Sequence, residues 1–467
     1  MPAGAAVSTA AAAGLSSAGG ERDKQIDAML RHFQDVRFFG VGSFNWRNVG
    51  PKYPGYETQI QDEVYLADMY FGLETPMADG VPFHAEFTMP TQLQGAPQLY
   101  QLYAEYDRVE NWKAQIGKFL VPYGRYNELY RPDEFLAITR PLLYASPDSI
   151  DLVVRPNSPV PPVSAGYTDL GARLSWYPNK ENPLVPDELT VFVVNGLAES
   201  DNRSRTFPNP QNLGVPGPPT SGVGLDFGHQ NNGLADNNNA KSLGARAVFA
   251  LGDLRLPWPF PEKGADLDGV TLSFSGMGGS YDLENQLYYQ MWAADWSFDY
   301  HGISFSGEAE YEMDQYKSPQ MVSSTTDLAP SLVNPVDQIR LREENYGYFT
   351  QAAFPVMRHP PVGDRLTGVL VYNQMYRRGP LMDFLLNVTD PAGGGVIPSM
   401  TAYKVGTPQV LTQMEKMTAA LNWKLSEHFT AKFEYSYWFM GKATVPSPTS
   451  TGNLDVYQTA MSLVASF

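Results

Sequence analysis

The chain has 467 residues, of which 13% are aromatic and 18% are charged, and its formal net charge is −17. Soluble domains usually carry about 25% charged residues, so this chain is poorer in charge than that class. Nucleic-acid-binding domains need a basic face, so the negative net charge argues against nucleic-acid binding. The sequence contains no cysteine, which excludes disulfides, thiolate metal sites and covalently attached haem.

The N-terminal part of the sequence differs from the rest. Residues 2–20 are almost entirely Ala, Gly, Ser, Thr and Val, and we expect residues 1–20 to form a flexible segment. Within residues 21–35, apolar side chains recur every three or four positions, as at Ile26, Met29 and Phe33. This spacing predicts a short N-terminal helix with one apolar face.

From residue 36 onward apolar residues recur at every second position, which is the period of a β-strand. In residues 64–74, for example, Tyr65, Ala67 and Phe71 fall on one predicted face. Tight connections at residues 299–302 and 426–428 join further alternating runs into hairpins. We find no run of eighteen apolar residues, so the sequence offers no membrane helix.

The last eleven residues carry the most informative strand pattern. One face is mostly small or polar, and the other carries Tyr457, Thr459, Met461, Leu463, Ala465 and Phe467. This arrangement suits a strand between lipid and water, although an ordinary half-buried strand would alternate in the same way. The segment resembles the C-terminal sorting strand of bacterial outer-membrane barrels. The resemblance implies a sorting role for Tyr457, Met461, Leu463 and Phe467.

Long connections alternate with short turns along the chain. Residues 196–240, 317–338 and 384–408 are rich in turn-forming residues, and we expect no regular structure in them. Such loops are normal at the extracellular rim of a membrane barrel. The alternation over residues 36–467 predicts an all-β fold. Since a membrane strand needs roughly 9–11 residues, we expect one transmembrane antiparallel β-barrel of roughly 16–18 strands. A barrel of this size is wide enough for an aqueous channel.

The most motif-like segment is Ile116-Gly-Lys-Phe-Leu-Val-Pro-Tyr-Gly-Arg-Tyr-Asn-Glu128. It resembles the Gly-Lys-Phe and Pro-Phe/Tyr-Gly element of Gram-negative porins related to the phosphate-selective porin O/P group. The resemblance implies a strand that leads into a loop folded into the lumen. The candidate constriction-loop residues are Arg125, Arg131, Asp133, Glu134 and Arg140. They could create a transverse field across the channel, or the arginines could pin the loop to the wall by ion pairs.

The inward rows of two predicted hairpins supply candidate pore-lining residues. These are Glu308, Glu310, Glu312, Lys432 and Glu434. Focused negative charge favours cations, so phosphate is not carried over as a substrate from the resembling group. The three glutamates of residues 308–312 could instead bind a hard cation, but we expect a solvated wall and no metal site.

The sequence contains no His-Glu-x-x-His pair, no phosphate-binding loop and no Gly-x-Ser-x-Gly elbow. It therefore predicts no catalytic residue and no cofactor. We expect a diffusion porin of the bacterial outer membrane that contacts lipid and passes small hydrophilic solutes or ions; a homotrimer is a further expectation. Two alternatives stay open: a barrel sheath around a separate multihaem cytochrome, and a soluble β-rich surface or carbohydrate-binding protein.

Overall fold

The structure is a computed structural model. It describes residues 36–50, 62–76, 81–89, 97–144, 162–163, 166–179, 185–199, 229–231, 240–256, 265–281, 287–316, 320–321, 338–339, 342–357, 360–379, 386–389, 396–399, 410–440 and 454–467. The flexible segment expected at residues 1–20 and the helix expected at residues 21–35 lie outside the described residues.

The described elements are almost entirely strands. In the first half of the chain they are β1 (Arg37–Gly50), β2 (Asp62–Pro76), β3 (Pro82–Met89), β4 (Gln98–Tyr106), β5 (Trp112–Leu120), α1 (Arg125–Glu128), β6 (Thr168–Trp176), β7 (Glu188–Val194), β8 (Leu197–Glu199) and β9 (His229–Asn231). In the second half they are β10 (Ser242–Leu256), β11 (Ala265–Ser280), β12 (Leu287–Tyr300), β13 (Ile303–Tyr316), β14 (Gln320–Met321), β15 (Gln338–Ile339), β16 (Arg342–Met357), β17 (Arg365–Gly379), β18 (Leu386–Thr389), β19 (Val396–Ser399), β20 (Val410–Lys424), β21 (Phe429–Met440) and β22 (Leu454–Ser466).

Sixteen of these strands form one closed antiparallel barrel. The order around the ring is β1–β7, β10–β13, β16, β17 and β20–β22, and β22 pairs with β1 to close it. The predicted all-β barrel is therefore confirmed, at sixteen strands. No helix among the described residues is long and apolar enough to cross a membrane.

In the described part of the chain, three short strand pairs lie outside the ring. β8 pairs with β9, β14 with β15, and β18 with β19. The expectation that residues 196–240, 317–338 and 384–408 contain no regular structure is thus wrong for these short stretches. Each short pair lies in the connection between two neighbouring antiparallel barrel strands. Because the two barrel strands end side by side, the chain segments that leave them start close together and can pair with each other.

Exposed and buried side chains alternate along the barrel strands, as the sequence pattern predicts. On β22, Met461 and Leu463 are exposed whereas Ala460, Ser462 and Val464 are buried. The outward rows are apolar and the inward rows are largely polar, because successive side chains of a strand point to opposite faces.

Strand β2 breaks this alternation. Ala67 is buried while Phe71 is exposed, so the prediction that they share a face is wrong. The cause is a register shift: Val41 of β1 pairs with Tyr70, but Ser43 pairs with Ala67, which leaves an extra residue on β2. Such a bulge exchanges the two faces of a strand.

The two ends of the barrel differ. Residues 301–302 and 425–428 make tight turns at one end, which we call the short-turn end, and the long connections leave the opposite end. The wall is also uneven, since β3–β7 have 7–9 residues and the other barrel strands have 12–16. The connection that follows β5 therefore begins where the wall is low.

Candidate functional site

The connection between β5 and β6 contacts inward-facing side chains of the barrel. Its first part, residues 121–144, is named the crossing loop here and contains α1. At its base, the Asn127 side-chain amide donates to the Val121 carbonyl at 2.8 Å, and its Oδ1 accepts from the Tyr167 amide at 2.7 Å. Tyr167 directly precedes β6, so Asn127 ties the entry of the connection to its exit.

The crossing loop is bound to β13 through Glu308. Glu308 Oε2 accepts from the Tyr126 amide at 3.0 Å, and its Oε1 accepts from the Tyr144 hydroxyl at 2.5 Å. Gly124 begins this contact with a φ of 65°. A Cβ added there would collide with the Glu308 carboxylate, so both the backbone conformation and the close approach require glycine.

A second contact lies on β3, at the fully buried Glu86. Its carboxylate accepts from the Tyr130 hydroxyl at 2.5 Å and from Arg131 Nε at 3.2 Å. Gln101 of β4 donates to the same carboxylate at 2.7 Å. The Arg131 guanidinium also lies 4.6 Å over the Phe39 ring. The charge of Glu86 is thus paired and hydrogen-bonded, which a buried carboxylate requires.

A third contact joins the crossing loop to β21. Lys432 Nζ donates to three loop carbonyls: those of Pro132 at 2.6 Å, Phe135, and Ala137 at 3.2 Å. Glu434 accepts from two loop amides: those of Ile138 at 2.5 Å and Thr139 at 2.8 Å. Lys432 and Glu434 both bind backbone atoms of the loop, so these contacts do not depend on which side chains the loop carries.

Strand β20 strengthens this contact. Lys416 Nζ donates to Thr139 Oγ1 at 2.6 Å and to the Arg140 carbonyl at 2.8 Å. The Asn422 side-chain amide donates to the Leu136 carbonyl at 3.1 Å. The loop backbone is therefore hydrogen-bonded along residues 132–140.

Two loop tyrosines act as donors to buried carboxylates. Burial, and then the charge of Glu86, raises the pKa of Tyr130. Burial, and then the charge of Glu308, raises the pKa of Tyr144. Both hydroxyls therefore keep their protons at neutral pH, which is the state that the two hydrogen bonds need.

Four acidic side chains follow one another on the inward face of β13: Glu308, Glu310, Glu312 and Asp314. Each is at most 4% exposed. The carboxylate of Glu310 has no hydrogen-bond partner among the described residues. The nearby Arg377 binds Glu343 at 2.6 Å. No group of three or more His, Asp or Glu in the described part of the chain has the arrangement of a metal site.

The candidate constriction-loop residues have different environments. Arg131 pairs with Glu86, and Arg140 donates to the Tyr130 carbonyl at 3.3 Å. Asp133 and Glu134 are exposed, and Glu134 accepts from the Arg131 amide at 3.0 Å. Arg125 has no hydrogen bond or ion pair with any described residue. Pinning to the wall thus describes Arg131, whereas Arg125 is unpaired among the described residues.

All five candidate pore-lining residues lie on inward faces and are buried. Glu308, Lys432 and Glu434 bind the crossing loop directly. The sequence pattern did not identify several other residues that bind the loop, among them Glu86, Asn373, Lys416 and Asn422. Asn373 Oδ1 accepts from the Leu142 amide at 3.2 Å. A polar side chain in an inward row of a strand could have indicated such a contact residue. Lys416 is an example, since it is buried and the next residue, Met417, is exposed on the outward face.

Phe467 stands where the ring closes. Its amide donates to the Gly40 carbonyl at 2.9 Å, and the Gly40 amide donates to its carbonyl at 3.1 Å. The aromatic ring is 76% exposed. Phe467 therefore extends the β1–β22 pairing by one residue and presents an aromatic side chain to the surroundings of the barrel.

No family model matches the sequence, and no curated protein does. Among solved structures, an anion-selective porin from Comamonas acidovorans aligns with a TM-score of 0.50 at 10% identity, over 92% of this chain and 99% of that chain. The outer membrane channel DcaP of Acinetobacter baumannii aligns with a TM-score of 0.45 at 11% identity, over 93% of this chain and 97% of that chain. OprB of Pseudomonas putida aligns with a TM-score of 0.44 at 10% identity, over 96% of this chain and 97% of that chain. The first likeness shows that the chain has the fold of a porin barrel; the resemblance to the O/P group stays a prediction.

Proposed function

We propose that the chain is a non-enzymatic porin of the Gram-negative outer membrane. Small hydrophilic solutes or ions would cross it by passive diffusion. The closed ring leaves no free strand edge, its outward rows are apolar, and its inward rows carry polar side chains. A membrane barrel needs a closed ring because its backbone groups must all be paired within lipid. Its outward rows are apolar because they face lipid, and its inward rows are polar because they face water.

The crossing loop gives the strongest support for the proposed channel function. Its backbone and side chains are bound to inward residues of β3, β13, β20 and β21. A loop held on several walls reduces the free cross-section of a barrel that would otherwise leave an open channel. Solutes would then be selected by the size of the space beside the loop.

Charge would add a second selection. The four inward carboxylates of β13 lie in one row, and successive inward residues stand roughly 6.6–6.8 Å apart along a strand. That spacing is shorter than the Debye length of about 8 Å at physiological salt, so their fields overlap. We expect a weak preference for cations.

The two alternatives fit less well. A sheath around a separate cytochrome needs a lumen free for a second protein, and the crossing loop occupies that space. A soluble protein would have to expose the apolar outward rows, including Leu370 and Met417, to water. Stoichiometric haem absorbance in the purified protein would favour the sheath instead.

The experiment is reconstitution of the detergent-extracted chain into planar lipid bilayers. The proposal predicts extraction by detergent only, gel migration that differs with and without boiling, and stepwise ion currents. Solubility in plain buffer, or a correctly folded barrel that gives no current steps, would overturn it.

A further inference from the structure

A cavity of about 370 Å³ lies between the crossing loop and the wall formed by β12, β13 and β16. It is bounded by Asp299 and Ser304, which flank the tight turn at residues 301–302. The cavity is therefore on the short-turn side of the crossing loop. Its volume is at the lower end of the range for small-molecule sites, roughly 300–1,000 Å³.

Charges of both signs line this cavity. Arg125 supplies a guanidinium, and the carboxylates belong to Glu134, Asp299 and Glu308. Glu308 is already bound by Tyr126 and Tyr144. Arg125 forms no ion pair with any described carboxylate, so none of the described residues competes with a ligand for its charge.

The rest of the lining divides into an apolar part and a polar part. Tyr126, Phe135 and Phe349 form an aromatic group, in which the Tyr126 ring centroid lies 5.5 Å from that of Phe349 and 6.2 Å from that of Phe135. Ser306 and Gln351 add neutral hydrogen-bonding groups on the wall. Aromatic faces with a few convergent polar groups are typical of ligand sites.

The charges restrict the ligand. A simple anion would gain Arg125 but would also meet the carboxylates of Glu134 and Asp299. A simple cation would gain those carboxylates but would meet Arg125. A ligand that carries both charges can use each group, since like charges disfavour binding and opposite charges favour it.

We propose that this cavity binds small zwitterions of the amino-acid type, with an apolar or aromatic side chain. Arg125 receives the ligand carboxylate, Glu134 and Asp299 receive the ammonium group, and the aromatic group receives the side chain. The site would hold such solutes on their way through the channel, so this substrate class rests on the proposed porin function.

The test uses three ligands of matched shape: L-phenylalanine, 3-phenylpropanoate and 2-phenylethylamine. Binding to the full chain in detergent is measured by calorimetry, and block of single-channel current is measured with each ligand added on either side of a bilayer. We expect L-phenylalanine to bind at least about tenfold more tightly than either analogue, the scale of one charge-assisted hydrogen bond.

Arg125→Gln should reduce L-phenylalanine binding to the level of 2-phenylethylamine. Glu134→Gln together with Asp299→Asn should reduce it to the level of 3-phenylpropanoate. Arg378→Gln is the matched control, because the Arg378 side chain is 55% exposed and lies outside the cavity. Equal binding of the three ligands, or full binding by Arg125→Gln, would overturn the inference. Calorimetric binding without any channel current would support the cavity and overturn the porin function instead.

Discussion

Glu86 and Glu308 hold neighbouring parts of the crossing loop from facing walls of the barrel. They lie on β3 and β13, the third and eleventh strands of a ring of sixteen, so half the ring separates them. Glu308 binds the Tyr126 amide, and five residues later Arg131 binds Glu86. The loop therefore reaches across the barrel. If it left either wall, a buried carboxylate would lose its hydrogen-bond partners, which costs free energy of folding.

Replacing Lys432 with Met should release part of the crossing loop. The variant leaves three loop carbonyls without their donor, and each buried unsatisfied acceptor costs about 1–3 kcal/mol. We expect a lower unfolding temperature in detergent and noisier single-channel current. Lys424→Met is the control, since Lys424 is exposed at the end of β20. Equal behaviour of the two variants would show that Lys432 does not hold the loop.

Gly124→Ala tests the close approach of the loop to β13. The variant combines an unfavourable positive φ with a collision against Glu308. Gly252→Ala is a matched control: its φ is 69°, and an added Cβ would meet nothing within 4 Å. We expect Gly252→Ala to cost about 1–2 kcal/mol from backbone strain alone, and Gly124→Ala to cost more in denaturant unfolding. The reverse order would contradict the tight contact.

Glu310→Gln tests the origin of charge selectivity. The Glu310 carboxylate has no hydrogen bond to the described loop residues, and glutamine has the same shape, so a change in selectivity would report the charge of the inward row and not a detached loop. Reversal potentials in a salt gradient should show a cation preference in the parent, strongest at low salt, and a weaker one in the variant. Glu427→Gln, in an exposed turn, should match the parent. An anion-selective parent would refute the acidic row as the selectivity element.

Phe467→Ala keeps the backbone pairing with Gly40 but removes the exposed ring. If the aromatic side chain serves assembly, the variant should reach the membrane in smaller amounts, while each assembled channel conducts normally. Band intensities of unboiled membrane samples and single-channel currents measure the two quantities. Normal membrane levels would show that the ring has no sorting role.

The barrel could be predicted from the sequence because strand faces depend on local alternation. The rows of β13, β21 and β22 each reveal their inward and outward residues within one strand. The bulge in β2 could not be predicted in this way, because Ala67 and Phe71 change faces only through the register with β1.

The candidate site was predictable only in outline. The segment at residues 116–128 pointed to the crossing loop, but its contacts join residues far apart in sequence, such as Lys432 and Pro132. Periodicity gives no information about such pairs. For the same reason the sequence could not distinguish Arg131, which pairs with Glu86, from Arg125, which has no ion-pair partner in the part of the chain that the structure describes.

One cysteine variant can show whether ions pass through the barrel beside the crossing loop. The parent has no cysteine, so Glu134→Cys places a single thiol on the exposed part of the loop. Single-channel current is recorded before and after reaction with a bulky, positively charged thiol reagent, with Glu427→Cys as the control. If ions pass beside the loop, stepwise currents should fall on reaction in Glu134→Cys and remain unchanged in Glu427→Cys. Current steps that are absent, or that stay the same after complete labelling of Glu134→Cys, would contradict this expectation.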